Sequence, residues 1–154
     1  MIDAEKSLPF RPSVVCRPSA VRAMNPVMTS VAAASVGTRA AAFARVIAEI
    51  NRQAPAFAVH LGDILGSDER CTDELLLRRR EEFDSFASAL VYTPGDNEWT
   101  DTHSEKAGRF DPLERLARIR TLFFAEERSR GRRPLPLVTQ RRDPAHRMFV
   151  ENEI

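Results

Sequence analysis

The sequence predicts an α/β fold of parallel strands with flanking helices, and three observations predict it. Two short apolar runs, Phe57-Ala58-Val59-His60-Leu61 and Leu90-Val91-Tyr92-Thr93, each lead to a glycine followed at once by an acid, Gly62-Asp63 and Gly95-Asp96. Val, Phe and Tyr suit a pleated, buried surface, and a brief apolar run closed by a turn residue suits a parallel strand covered on both faces. Helical periodicity precedes the first run and fills the space between the two, which is the alternation of an α/β repeat.

In chain order, residues 1–36 are irregular or partly ordered, because Pro9, Pro12, Pro18 and Pro26 interrupt any long element and no periodicity persists. From Thr38 to Arg52 the residues Phe43, Val46, Ile47 and Ile50 make one apolar stripe, with Thr38 as N-cap and Pro55 as the stop. After the polar loop Gly66 to Asp73, Thr72 can cap a second helix whose buried face is marked by Leu76, Phe83, Phe86 and Leu90. Its Arg78-Arg79-Arg80 and Glu81-Glu82 read as a solvated face with local ion pairs. Asp111, Pro112 and Glu114 form a capping box with proline at the first helical position, and Leu113, Leu116, Leu122 and Phe123 supply the apolar side of a third helix. A short extended piece, Leu135 to Val138, follows. Residues 37–138 thus form the domain, and 139–154 a basic tail.

A chain of 154 residues, 43% of them hydrophobic, accommodates one domain with a real core. Its 23 Lys+Arg against 22 Asp+Glu leave a net charge of +1, which gives no reason to expect nucleic acid. No aromatic residues interleave with the C-terminal arginines, and no apolar run approaches a membrane span. The two cysteines, Cys16 and Cys71, are too few for a disulfide framework and match no zinc pattern. Cytoplasm is the default compartment, with export left open.

In open α/β sheets, ligands bind beyond the carboxyl ends of the strands. Asp63 and the cluster Asp96-Asn97-Glu98 would sit at that rim, one strand apart. Oxygen donors gathered there suit a hard or borderline cation and phosphate chemistry.

His60-Leu61-Gly62-Asp63-Ile64 followed by Gly66 resembles the Gly-Asp block of calcineurin-like metallophosphoesterases, and Thr93-Pro94-Gly95-Asp96-Asn97-Glu98 resembles their Gly-Asn-His-Asp/Glu block. Thr93 to Asp101, with Phe110-Asp111-Pro112-Leu113-Glu114-Arg115-Leu116, is similar to a bacterial branch that writes the second block Gly-Asp-Asn-Glu-Trp. The resemblance spans Thr38 to Arg133. It implies part of that family's sandwich, incomplete at both ends. The first strand of the family ends in an Asp block, yet Leu8 to Leu61 hold no Asp and a single acid, Glu49; two His-bearing blocks would follow Ile154. A truncated or rearranged reading frame is the expectation.

The resembled family holds two divalent ions about 3.5–4 Å apart and attacks phosphorus with a hydroxide between them. The metal, Mn, Fe, Zn or Mg, would here have an incomplete shell, so that its retention stays open. Asp63 matches the bridging carboxylate. Asn97 matches the amide ligand by residue type; alignment on Gly95 instead puts Asp96 there and Asn97 where the catalytic His stands. Glu98 matches an acidic position that braces the loop or binds metal. His103, just past the second rim, is the candidate catalytic histidine, and His60 reads as a buried, hydrogen-bonded side chain. Trp99 is a lid or core packing. The branch often pairs cysteines in the two rim loops; Thr102 stands at the partner position, which leaves Cys71 a free thiol.

By resemblance the function is metal-dependent hydrolysis of a small phosphoester, impaired by the absent blocks. The alternative is a non-catalytic remnant acting as a binding or association module, with self-association through an exposed sheet edge. A third reading is an ordinary α/β binding module in which the motifs are accidental.

Overall fold

In the computed structural model, which describes residues 36–151, the chain is mixed α/β: three helices and a two-stranded parallel sheet. The irregular segment read for the N-terminal residues lies outside those described. Helix α1 (Val36–Gln53) leads through Pro55 into β1 (Phe57–His60); α2 (Asp73–Asp84) crosses to β2 (Ala89–Tyr92); a 3-10 turn, Thr100–His103, precedes α3 (Pro112–Phe123). The strands pair in register, Phe57 with Ala89 through to His60 with Tyr92, and Thr93 N–H donates to the His60 carbonyl at 3.0 Å. No helix among the described residues is long and apolar enough to cross a membrane.

Local chemistry sets the helix ends. Thr72 Oγ1 accepts the Leu75 N–H at 3.3 Å and Asp111 Oδ1 the Glu114 N–H at 2.9 Å, each satisfying a donor that the first turn leaves free. The capping box of α3 closes from one side only, because the Glu114 carboxylate pairs with the Arg115 guanidinium. Leu113, expected on the apolar side, is 72% exposed: the buried stripe is Arg115, Ile119, Leu122 and Phe123, and Leu113 lies off it.

All three helices converge on one face of the sheet. Phe43 of α1 meets His60 at 6.0 Å, Phe83 of α2 meets His60 at 4.9 Å, and Phe123 of α3 meets Tyr92 at 5.1 Å between ring centroids. Ala58, Leu90 and Tyr92 are buried in this aromatic core. The opposite face departs from the expectation of strands covered on both sides. Phe57, Val59 and Leu61 are 46%, 41% and 60% exposed, since alternate side chains of a strand point oppositely and no described helix lies on that side.

Beyond β2, Leu90 and Arg130 exchange backbone hydrogen bonds of 2.9 and 2.8 Å, so a single antiparallel bridge covers that edge. The segment read as a basic tail is fastened to α3. Arg120 binds Glu151 at 2.6 Å, Arg141 donates to the Phe124 carbonyl at 2.7 Å, Arg142 pairs with Glu127, and Val150 packs against the core.

Candidate functional site

Both Gly-acid turns stand at the carboxyl ends of the parallel strands, and their backbones touch. A Cβ built on Gly62, where φ is +79°, would lie 2.1 Å from the Gly95 nitrogen; one on Gly95 would lie 2.2 Å from Asp63 Oδ1. Only glycine fits either place. Asp63 itself holds φ at +55°, a left-handed conformation that Asp tolerates better than most residues.

The two turns therefore bring Asp63, Asp96 and Asn97 together. The Asp63 carboxyl lies against the backbone of the second turn at Gly95, with Asp96 and Asn97 as its polar neighbours. Although Asp63 remains exposed as a residue, its carboxyl is seated in the fold of the second turn. Loss of water there pushes its pKa up, the Asp96 charge adds to the rise, and the backbone donors work against it. Asn97 Nδ2 donates to the Leu65 carbonyl at 3.1 Å, which ties the second turn across to the first and leaves the amide oxygen as the acceptor end.

Glu98 is held inside. It is 0% exposed, and Oε1 accepts both the Tyr92 hydroxyl at 2.8 Å and the Gly95 N–H at 2.7 Å. Burial raises its pKa against those two donors, and Oε2 has no partner. Its carboxylate thus shapes the 95–98 turn from beneath. Cys71, a buried free thiol, donates to the Glu98 carbonyl at 3.3 Å. Burial pushes it up to about 11, with Arg115 opposing, so it is no thiolate nucleophile at neutral pH. Thr102 is also buried and donates to the Trp99 carbonyl at 2.6 Å; Trp99 packs against the core.

The histidines stand apart from this cluster. His60 faces Phe43, Phe83 and Tyr92, and its Nδ1 is buried with no partner, so it is not the fully hydrogen-bonded side chain expected. Burial, then the charge of Arg79, lowers its pKa to about 4. His103 is exposed, and its Nδ1 lies 2.8 Å from the Thr100 carbonyl within its own turn. A carbonyl can only accept, so Nδ1 carries the proton and Nε2 is the basic nitrogen of the neutral ring. Among the described residues no three His, Cys, Asp or Glu side chains gather as a metal-holding group.

Arg79 departs from the solvated face expected of the 78–82 charge run, since it is buried. Its Nε donates to the Ile64 carbonyl at 2.7 Å, directly after Asp63, and its other nitrogens reach Glu82 at 2.9 Å and Glu69 at 3.7 Å. Glu69 in turn accepts the Gly66 N–H at 2.7 Å and faces Arg39 of α1 at 3.6 Å. The signal was present: Leu76, Arg79 and Phe83 fall at i, i+3 and i+7, on the buried stripe of α2.

Comparison with protein-family models, with curated proteins and with solved structures gives no match.

Proposed function

We propose that this chain carries part of a calcineurin-like metallophosphoesterase domain and that its function is metal-dependent hydrolysis of a small phosphoester, weakened by an incomplete ligand set. The observation that supports this reading is the Asp63–Asp96 carboxyl pair at the strand ends. The Asp96 charge works against ionisation of Asp63, and a cation seated between the two carboxyls would relieve that repulsion. With the Asn97 amide oxygen they are hard oxygen donors that fit one Mg²⁺ or Mn²⁺, with water completing the shell. They do not supply the imidazoles of a two-metal centre. When bound, the cation would neutralise charge on a phosphoryl oxygen.

The chain's own groups take the remaining roles. Asp63 and Asp96 would hold the cation, the 95–97 turn orients them, and Glu98 keeps that turn in place. His103, exposed just beyond the turn, is the residue able to donate a proton to a leaving group once its Nε2 is protonated.

The second reading is a non-catalytic binding or association module. It is favoured by the position of the histidines: His60 is enclosed by aromatic rings, and His103 is anchored to Thr100.

Calorimetric titration with Mn²⁺, alongside turnover of p-nitrophenyl phosphate and its bis-ester, tests both. The phosphoesterase reading expects Mn²⁺ binding and turnover, both lost in Asp63→Ala. Binding without turnover supports the association module. Neither binding nor turnover in a folded protein would sink the metal site altogether.

A further inference from the structure

We propose that His60 is an acid-sensitive latch on the first strand-end turn: a proton on its ring drives Arg79 off the Ile64 carbonyl and frees the turn that carries Asp63. The ring is wedged among Phe43 of α1, Phe83 of α2 and Tyr92 of β2, at 6.0, 4.9 and 6.1 Å between centroids. Among the described residues nothing pairs with its buried Nδ1. A neutral ring can leave that nitrogen unprotonated, whereas a charged ring makes it a donor with no acceptor. Arg79 is the charge that bears on the ring, and two cations held away from water repel one another. The acids on the surrounding elements are committed elsewhere. Glu69 and Glu82 face Arg79, and Glu98 holds the Tyr92 hydroxyl and the Gly95 N–H. Arg39 of α1 faces Asp68 and Glu69.

Of the two cations, Arg79 is the one able to move. His60 is fixed by its strand: its carbonyl accepts the Thr93 N–H at 3.0 Å, and its Cα stands in register with Tyr92. Arg79 holds the Ile64 carbonyl through Nε at 2.7 Å, but its Nη1 binds Glu82, three residues on along the same helix, at 2.9 Å. The Glu82 side chain is 28% exposed against 11% for Arg79, so that pair lies towards solvent. An outward rotation of the guanidinium therefore keeps Glu82 and gives up Ile64. What is lost is the outer hold on the residue directly after Asp63, itself in the left-handed region at a φ of +55°.

Neither metal nor substrate enters the test, so its outcome is independent of the phosphoesterase reading. Exchange of the Arg79 Nε–H with water is measured by NMR as a ratio to that of the exposed Arg45, which cancels the intrinsic pH dependence. At pH 7 Arg79 should exchange more slowly than Arg45. Its protection should be lost as the His60 ring carbons titrate, with the same midpoint, near pH 4. His60→Phe keeps an aromatic ring in place without a titrating nitrogen, and there Arg79 should stay protected over the same range. Loss of protection in this variant as well would assign the opening to protonation of Glu69 or Glu82 and overturn the inference. So would an Arg79 that remains protected once the ring is charged, or a parent that unfolds before the ring titrates. If His60→Phe fails to fold, the two midpoints in the parent decide, and unequal midpoints overturn the latch.

Discussion

The two strand-end turns touch at Gly62 and Gly95, yet the molecule holds them by different means. The first, Gly62 to Gly66, is gripped from outside: Arg79 of α2 takes the Ile64 carbonyl and Glu69 takes the Gly66 N–H, with Arg39 of α1 beside it. The second, Gly95 to Glu98, is gripped from within by its own last side chain, through Gly95 N–H and the Tyr92 hydroxyl. An external clamp makes the position of Asp63 depend on two helices. An internal brace makes the position of Asp96 depend on one buried carboxylate and the strand beneath it. The candidate site exists where the two systems meet, so a fault in either should displace one acid and leave the other.

The contact itself is the most sensitive point. Gly62→Ala would place a methyl 2.1 Å from the Gly95 nitrogen at a φ of +79°. Left-handed strain of about 1–2 kcal/mol and overpacking against backbone of about 1–3 kcal/mol add to roughly 2–5 kcal/mol of lost stability. Urea unfolding should show the midpoint collapse with the slope unchanged. A midpoint within experimental scatter of the parent would mean that the turns do not touch.

Breaking the clamps singly separates the two systems. Arg79→Met leaves the Ile64 carbonyl and Glu69 without a guanidinium and should cost about 3 kcal/mol, as removal of one partner from a buried ionic group does. Glu98→Gln retains an oxygen for Gly95 N–H and the Tyr92 hydroxyl but exchanges a charged acceptor for a neutral one, at about 1–2 kcal/mol. Amide chemical shifts supply the sharper measurement. Arg79→Met should move residues 62–69 and spare 95–98, and Glu98→Gln should do the reverse. Shifts spread evenly over both turns in both variants would show a single cooperative unit instead.

The unequal legibility of these systems has a physical origin. Gly62-Asp63 and Gly95-Asp96 stood out because a glycine closing an apolar run is a local signal, and the turn chemistry it implies is local as well. Thr72 and Asp111 were legible as caps for the same reason. Arg79 was hidden by its charged neighbours, Arg78 and Arg80, even though its helical spacing from Leu76 and Phe83 puts it on the inward stripe. The bare face of β1 was less accessible still: Phe57, Val59 and Leu61 satisfy any test for buried strand residues, and whether a helix covers them depends on where three helices pack. The Asp63–Asp96 contact lies between. Composition and spacing could place both acids at one rim, but their close approach requires the strand register that sets His60 beside Tyr92.

That register offers the finest comparison of the two systems, because His60 and Tyr92 end neighbouring strands side by side. The Tyr92 hydroxyl has Glu98, and burial holds its pKa well above the ordinary value, so it stays protonated from neutral pH downwards. His60 Nδ1 has no partner, and burial with the nearby Arg79 charge lowers the pKa from 6.5 to about 4. Above pH 6.5 the ring is neutral both folded and unfolded, and its full contribution to stability is present. As pH falls towards 4 the unfolded chain takes a proton that the folded ring refuses, so that contribution is lost. The loss is about 1 kcal/mol by pH 5.5, approaching roughly 3 kcal/mol near pH 4. Asp63 and Glu98 act oppositely, since carboxyls with raised folded pKa values gain stability as pH falls. The measurement is therefore a difference: unfolding free energy of the parent minus that of His60→Leu, followed from pH 7 to 5.5, should decline by about 1 kcal/mol. A difference that stays flat would mean that the first strand end accommodates a charged ring. The contrast between a partnered Tyr92 and an unpartnered His60 would then be lost.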